Sequence, residues 1–213
     1  MKLYSYFRSS AAFRVRIALG LKGLAYETVP IHLVRNEQHG EAYAGVSPTG
    51  LVPALTDGGA TLTQSLAILE YLEETHPSPP LLPADALGRA RVRAIALDIA
   101  CEIHPIDNLR VLRYLVREMG VDEAAKDRWY KHWVETGLEA VERRLADGGT
   151  GRFCHGDWPT IADCALVPQI FNAQRFGCRL DHVPTVMRVF ATCLEIEAFQ
   201  AAEPSRQPDA EPA

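Results

Sequence analysis

The chain has 213 residues, 47% hydrophobic and 23% charged, enough to bury one large core or two small ones in an ordinary globular protein. No run of 18 apolar residues offers a membrane span, and a net charge of −5 argues against a nucleic-acid surface. The five cysteines, Cys101, Cys154, Cys164, Cys178 and Cys193, show no CxxC spacing, so they read as reduced core thiols and not as a disulfide framework or zinc site.

Lys2–Tyr6 alternates apolar and polar side chains and predicts a strand at the very start, with no signal peptide before it. Phe13, Ile17 and Leu21 follow at helical spacing. The joint between them is Ser9-Ser10, and serine is a preferred N-cap. The first N–H groups of a helix point outward at its positive end, a place that stabilises an anion. Two readings stand: the serines only cap the helix, or a hydroxyl there meets an anionic ligand. Arg14 and Arg16 sit on a helix that must also pack, and read mainly as structural or surface residues.

Residues 25–30 predict a second strand, and His32–Tyr43 a polar segment with weak helical character. Leu51–Leu55 and Thr61–Thr63 are strand-like, separated by the hairpin signal Asp57-Gly58-Gly59. Ser65 then caps a helix to about Glu74. Strand, helix, strand implies a right-handed crossover and a parallel pair, to which the hairpin adds antiparallel strands.

His76–Pro83 carries four prolines in eight residues and cannot continue a helix. Beyond it the pattern is all helical. A 3.6-residue period runs from Val92 to Val116, with a kink expected at Pro105. A second helix spans about Asp122–Ala146 and ends at Gly148-Gly149. Thr160 and Asp163 form a capping-box pattern before the apolar run 165–170. A last helix is expected over about Thr185–Ala202, and the polar tail after Pro204 reads as a loosely held strap.

A small mixed sheet, a proline linker and an all-helical part resemble the glutathione transferase architecture. The implied class is α/β plus all-α: a thioredoxin-like domain over 1–80, a linker over 81–86 and a helical substrate-binding domain over 87–213. The run Tyr6-Phe7-Arg8-Ser9-Ser10 with Arg14-Val15-Arg16-Ile17-Ala18-Leu19 resembles the signature of the zeta class, the maleylacetoacetate isomerases. Residues 26–30, Val52-Pro53, 64–68, 70–74 and Leu81-Leu82-Pro83 fit it in order. So do His104-Pro105 with Asn108-Leu109, Gly156-Asp157, Ala162-Asp163, 166–169, 198–200 and Arg206-Gln207-Pro208-Asp209.

The resemblance implies glutathione as cofactor and a role for each matching position. Ser9, with Ser10 beside it, holds the glutathione sulfur as thiolate. Val52, before a cis Pro53, pairs with the cysteinyl backbone like an added strand. Gln64 and Ser65 hold the γ-glutamyl carboxylate, Gln38 or His39 reaches the glycyl end, and His104 and Asn108 line the site from the helical part. Ala11 stands where the family signature commonly has a cysteine, so no role needing a protein thiol there carries over.

The family reaction isomerises a conjugated double bond in a dicarboxylic diketone, so anions must be gripped. Arg8 and Arg175 are assigned to the substrate carboxylates and Arg110 to the same field, since the resemblance places their segments around the cleft. Arg110, Arg113 and Arg117 also form one helical stripe, which as a structural feature reads as a solvated face. No metal is implied. The implied protein is a cytoplasmic homodimer acting in aromatic amino-acid catabolism. The alternatives are a maleylpyruvate isomerase of the gentisate pathway, a transferase that conjugates or dehalogenates small electrophiles, and a non-catalytic binding protein.

Overall fold

The computed structural model describes residues 1–211, which form two compact units. The first takes in Met1–Leu81 and the stretch from Leu194 onward; the second is Leu82–Cys193.

In the first unit, β1 (Lys2–Ser5), β2 (Glu27–Pro30), β3 (Ala54–Asp57) and β4 (Ala60–Thr63) form one sheet in the order β2-β1-β3-β4. β1 and β2 are parallel across the crossover helix α1 (Ser10–Leu21), and the other two pairings are antiparallel. The hairpin turns on Gly58 and Gly59, whose φ of +54° and +90° only glycine reaches cheaply. β3 starts at Ala54, later than the apolar pattern suggested, because Pro53 has no N–H to give a ladder.

The two 3-10 turns Leu33–Arg35 and Glu37–His39 and the four-residue helix α2 (Glu41–Ala44) occupy the polar segment. α3 (Ser65–Thr75) and α9 (Glu197–Ala201) both pack against α1. α1 is therefore buried almost all round, with its two arginines, Arg14 and Arg16, buried among the apolar residues. The close approach is at Gly20, where an added Cβ would meet the Ala198 Cβ at 3.2 Å.

Three expectations are corrected by these contacts. The predicted last helix is two, α8 (Pro184–Cys193) and α9, parted by a turn whose Leu194 carbonyl accepts from the Gln200 side chain at 2.6 Å. The stretch from Leu194 belongs with the sheet and not with the preceding helices. The tail is not loosely held through residue 211, residues 212–213 lying outside the described residues: Gln207 Nε2 donates to the Ala201 and Glu203 carbonyls, both at 2.9 Å, and Ala210 packs on a core of Tyr6, Phe7, Tyr43, Val52 and Ala54.

The second unit is helical: α4 (Ala86–Leu97), α5 (Leu109–Arg117), α6 (Glu123–Leu145), α7 (Ile161–Arg175) and α8. Pro105 does more than kink the long periodic stretch. α4 runs into a π-helical turn, Asp98–Ile103, and the chain restarts as α5 only after Asn108 caps it. The His104 N–H reaches back to the Ile99 carbonyl at 2.9 Å, and proline can offer no donor to continue the ladder. α6 lies close on this turn: a Cβ at Gly137 would run into the Ile103 side chain. α7 is the core helix of the unit. Its capping box is formed, with the Thr160 N–H donating to Asp163 at 2.7 Å, while burial raises the Asp163 carboxyl above the usual carboxylate range.

Candidate active site

The strand register gathers the first unit's site residues. Tyr4 lies opposite Ala54, and Ala54 opposite Thr63. The end of β1, the start of β3 and the end of β4 therefore share one end of the sheet. The chain leaves that end as the turn to Ser9, enters it through Val52-Pro53, and leaves it again through Gln64-Ser65. β2 ends there too, since Ser5 pairs with Pro30, and leads on to Gln38.

The turn from Tyr6 to Ser9 is closed by the Ser9 N–H donating to the Tyr6 carbonyl at 2.9 Å. Ser9 caps α1, its Oγ accepting from the Ala12 N–H at 3.2 Å. The bond uses one lone pair and leaves the hydroxyl proton to donate, so both readings of this serine fit one geometry. Arg8 is half-buried, with its guanidinium 4.8 Å from the centre of the Phe7 ring.

The Val52–Pro53 peptide is cis. Among the described residues no hydrogen bond engages the Val52 backbone, so an extended ligand can pair with it as a strand pairs with a sheet edge. Gln64 has φ +67° and ψ 112°, a strained backbone for a residue with a Cβ, and leads into the first turn of α3. Ser65 is buried and accepts from Arg14 Nη1 at 3.2 Å. Gln38 is also buried, and among the described residues its Oε1 has no hydrogen-bond partner. The exposed His39 instead lays its ring against Gly50. The Val52 N–H and the helix N-terminus at Ser65 offer donors, and the Val52 carbonyl and Gln38 Oε1 offer acceptors, the mix that an extended peptide ligand requires.

Arg14 and Arg16 are buried and not on the surface. Arg16 Nε donates to the Ala202 carbonyl at 3.0 Å, Nη1 to Ser5 Oγ at 3.1 Å and Nη2 to the Phe7 carbonyl at 3.1 Å. Burial lowers its pKa to about 10, so it stays charged at neutral pH.

In the second unit, His104 and Asn108 face each other across the break, with Nε2 and Nδ2 3.4 Å apart. Asn108 Oδ1 caps α5 through the Arg110 N–H at 3.1 Å. The Arg110 side chain is exposed, as a solvated stripe requires. Arg175, the last residue of α7, stacks its guanidinium 4.6 Å from the Phe176 ring centre, and Phe176 in turn stacks on Tyr130 at 3.9 Å. Tyr130 feels the charges of both Arg175 and Asp107, which ties the end of α7 to the start of α5.

Asp107 was not singled out in the sequence. It is buried, neither oxygen has a hydrogen-bond partner, and burial pushes its carboxyl up to about 8. Four cysteines are buried, and burial raises the Cys178 thiol to about 12; Cys101 is exposed. Among the described residues no helix is long and apolar enough to cross a membrane.

Two family models match the chain: "Glutathione S-transferase, N-terminal domain" over residues 3–80 and "Glutathione S-transferase, C-terminal domain" over 123–181. The chain is 49% identical over 210 residues to a maleylpyruvate isomerase of Ralstonia, covering 98% of this chain and 99% of that one. It is 48% identical over 212 residues to the maleylacetoacetate isomerase of Pseudomonas aeruginosa, covering 98% of each. A holo structure of a maleylpyruvate isomerase, described as a bacterial zeta-class glutathione S-transferase, superposes with a TM-score of 0.97 at 48% identity, covering 99% of this chain and 100% of that one. A maleylacetoacetate isomerase from Methylobacterium extorquens, solved with bound malonate and glutathione, does so at 0.96 and 43%, covering 100% of both.

Proposed function

Since this chain belongs to the zeta class of the glutathione S-transferase family, we propose that it is a glutathione-dependent isomerase that converts maleylacetoacetate to fumarylacetoacetate. The observation that carries the reading is the meeting, at one end of the sheet, of a helix-capping hydroxyl, an unpaired backbone edge at Val52 and a buried helix N-terminus at Ser65. These suit the sulfur, the cysteinyl backbone and the γ-glutamyl carboxylate of glutathione. Gln38, buried and with a carbonyl oxygen free to accept the glycyl N–H, suits that end of glutathione better than the exposed His39.

Rotation about a double bond is prohibitively slow, so the bond order has to be lowered first. The thiolate adds to one alkene carbon, and the electron pair moves into the conjugated carbonyl as an enolate. The carbon–carbon bond, now single, rotates. The enolate then collapses, restores the double bond in the trans form and expels the thiolate unchanged. No net proton is consumed.

A free thiol ionises near pH 8.5. Lowering that by about two units requires roughly 2.7 kcal/mol. A hydroxyl donor and a helix N-terminus at about 1–2 kcal/mol each are of that order. Because Ser9 Oγ already accepts from the Ala12 N–H, its own proton is a stronger donor. Arg8 and Arg175, each laid on an aromatic ring, are held ready for the two carboxylates and the transient enolate. In the helical unit the reading assigns His104 and Asn108 to ligand contact and Arg110 to the positive field. The reading extends to a homodimer in the cytoplasm.

Maleylpyruvate isomerisation is the second reading, favoured by the name of the Ralstonia relative and asking the same chemistry of the same residues. A spectrophotometric assay with maleylacetoacetate and maleylpyruvate, each with and without glutathione, tests both. Glutathione-dependent turnover of the first at higher kcat/KM is expected. Preference for the second would transfer the assignment, and turnover of neither would leave a conjugating transferase or a binding protein.

A further inference from the structure

The turn that carries Arg8 and ends on Ser9 is held from outside itself. Phe7 is its second residue, and both of its peptide groups are taken. Its carbonyl accepts from Arg16 Nη2 at 3.1 Å, and its N–H donates to Asp209 Oδ2 at 2.9 Å, across 202 positions of sequence. The Phe7 side chain is buried in the cluster that includes Val52, and Ala210, next to Asp209, packs on that cluster. Asp209 Oδ1 is buried without a hydrogen-bond partner, and the carboxylate lies within electrostatic reach of the Arg16 guanidinium. One residue further on, Glu211 Oε1 accepts from Arg35 at 2.6 Å and lies 3.2 Å from His32 Nε2.

We propose that Asp209 is a positioning residue for the reaction: by fixing the Phe7 N–H it sets the direction of the Ser9 hydroxyl toward the glutathione sulfur and of Arg8 toward the substrate. The argument is geometric. With both peptide planes around Phe7 fixed, and its ring buried, the two residues after it keep one orientation. Arg8 rests on that ring, so its guanidinium inherits the same reference. A carboxylate acceptor is the choice that holds hardest, since a charged partner makes a stronger hydrogen bond to an amide than a neutral one does. The tie from Glu211 to the segment after β2 is exposed and meets the turn through the His32 ring, edge-on to Tyr6 at 5.0 Å, and not through the Phe7 peptide groups, so it fastens the same stretch of chain without fixing the planes that set Ser9.

The proposal rests on the reading of Ser9 as the thiolate partner, and the test separates the two. The thiol of bound glutathione is titrated by ultraviolet thiolate absorbance, and exchange of the Phe7, Arg8 and Ser9 amides is followed in the protein without glutathione. Asp209→Ala is expected to raise the bound-thiol pKa and to lower kcat/KM about tenfold, and to speed exchange at all three amides. Asp209→Glu, which keeps the charge but displaces the oxygens by one bond, folds with a milder change and gives an intermediate result. Glu211→Ala leaves thiol pKa and exchange at the wild-type values. Wild-type thiol pKa and exchange in folded Asp209→Ala and Asp209→Glu proteins would overturn the proposal, as would an equal loss in Glu211→Ala. If wild-type protein itself fails to lower the thiol pKa, the reading of Ser9 falls, and amide exchange alone still decides whether Asp209 orders the turn.

Discussion

Ser9 does two jobs with one oxygen, and substitutions can divide them. Glycine at an N-cap costs only a few tenths of a kcal/mol, whereas alanine costs about 1 kcal/mol. Ser9→Gly should therefore keep its Tm near wild type while kcat/KM falls about 100-fold; Ser9→Ala should lose both. Calorimetry beside the isomerisation assay checks this, and a Ser9→Gly enzyme at full activity would remove the hydroxyl from the mechanism. Asp107 offers a pH test. Burial raises its folded pKa to about 8, above that of the unfolded chain, so the folded state holds the extra proton. Stability contributed by this group is full at low pH and is lost as pH rises toward 8, by at most about 1.4 kcal/mol per unit. Asp107→Asn should match wild type near pH 4 and gain on it steadily up to pH 8, with no further gain beyond. Thermal melts across that range would refute the assignment if the gap stayed constant.

Among the elements, the N-terminus of α3 shows what sequence conceals. The sequence marked the start of α3 at Ser65 but misassigned its cap: Gln64 is the N-cap, Ser65 is the first helical residue, and its hydroxyl accepts from Arg14. The strain at Gln64 was not legible, because positive φ normally announces itself with glycine or asparagine. Gln64→Gly should leave Tm equal or higher, relieving a conformation that costs of order 1 kcal/mol. It should also weaken glutathione binding about tenfold by removing the side-chain amide. Calorimetric titration reads both sides of that exchange. The sheet was largely legible from alternation and the Asp57-Gly58-Gly59 signal, and so were the positions of α1 and α6, whereas the last predicted helix proved to be two. The break after Ile103 was only half legible. Pro105 announced a disturbance, but the π turn that absorbs it depends on how α6 lies over Ile103 at Gly137.

At the scale of the whole molecule, one buried ion pair ties the end of the first unit to its core. Lys22 Nζ reaches Glu73 at 2.8 Å and the carbonyls of His76 and Pro79 at 2.6 and 3.0 Å, while Glu73 accepts the Leu81 N–H at 2.9 Å. Removing one partner strands the other in a buried place. Glu73→Ala should destabilise the protein by about 3–5 kcal/mol, read as a fall in denaturant midpoint; a loss under 1 kcal/mol would mean that the three carbonyl and amide partners suffice without the charge. Neither Lys22 nor Glu73 carries a motif, and nothing periodic links Phe7 to Asp209. Long-range pairing of this kind comes from packing, which local spacing does not encode.

The first unit is discontinuous, and this has a consequence for how the protein is made. Residues 1–81 leave the ribosome early, but α9 and Asp209 follow only after the 112 residues of the second unit. At about 5–20 residues per second that is a delay of roughly 6–22 s. Through it one face of α1 lies bare and the Phe7 amide lacks its acceptor. A nascent chain thus carries the sheet and its first helices unsealed until the helical unit has been built, and competence to bind glutathione waits for the stretch from Leu194 to follow it.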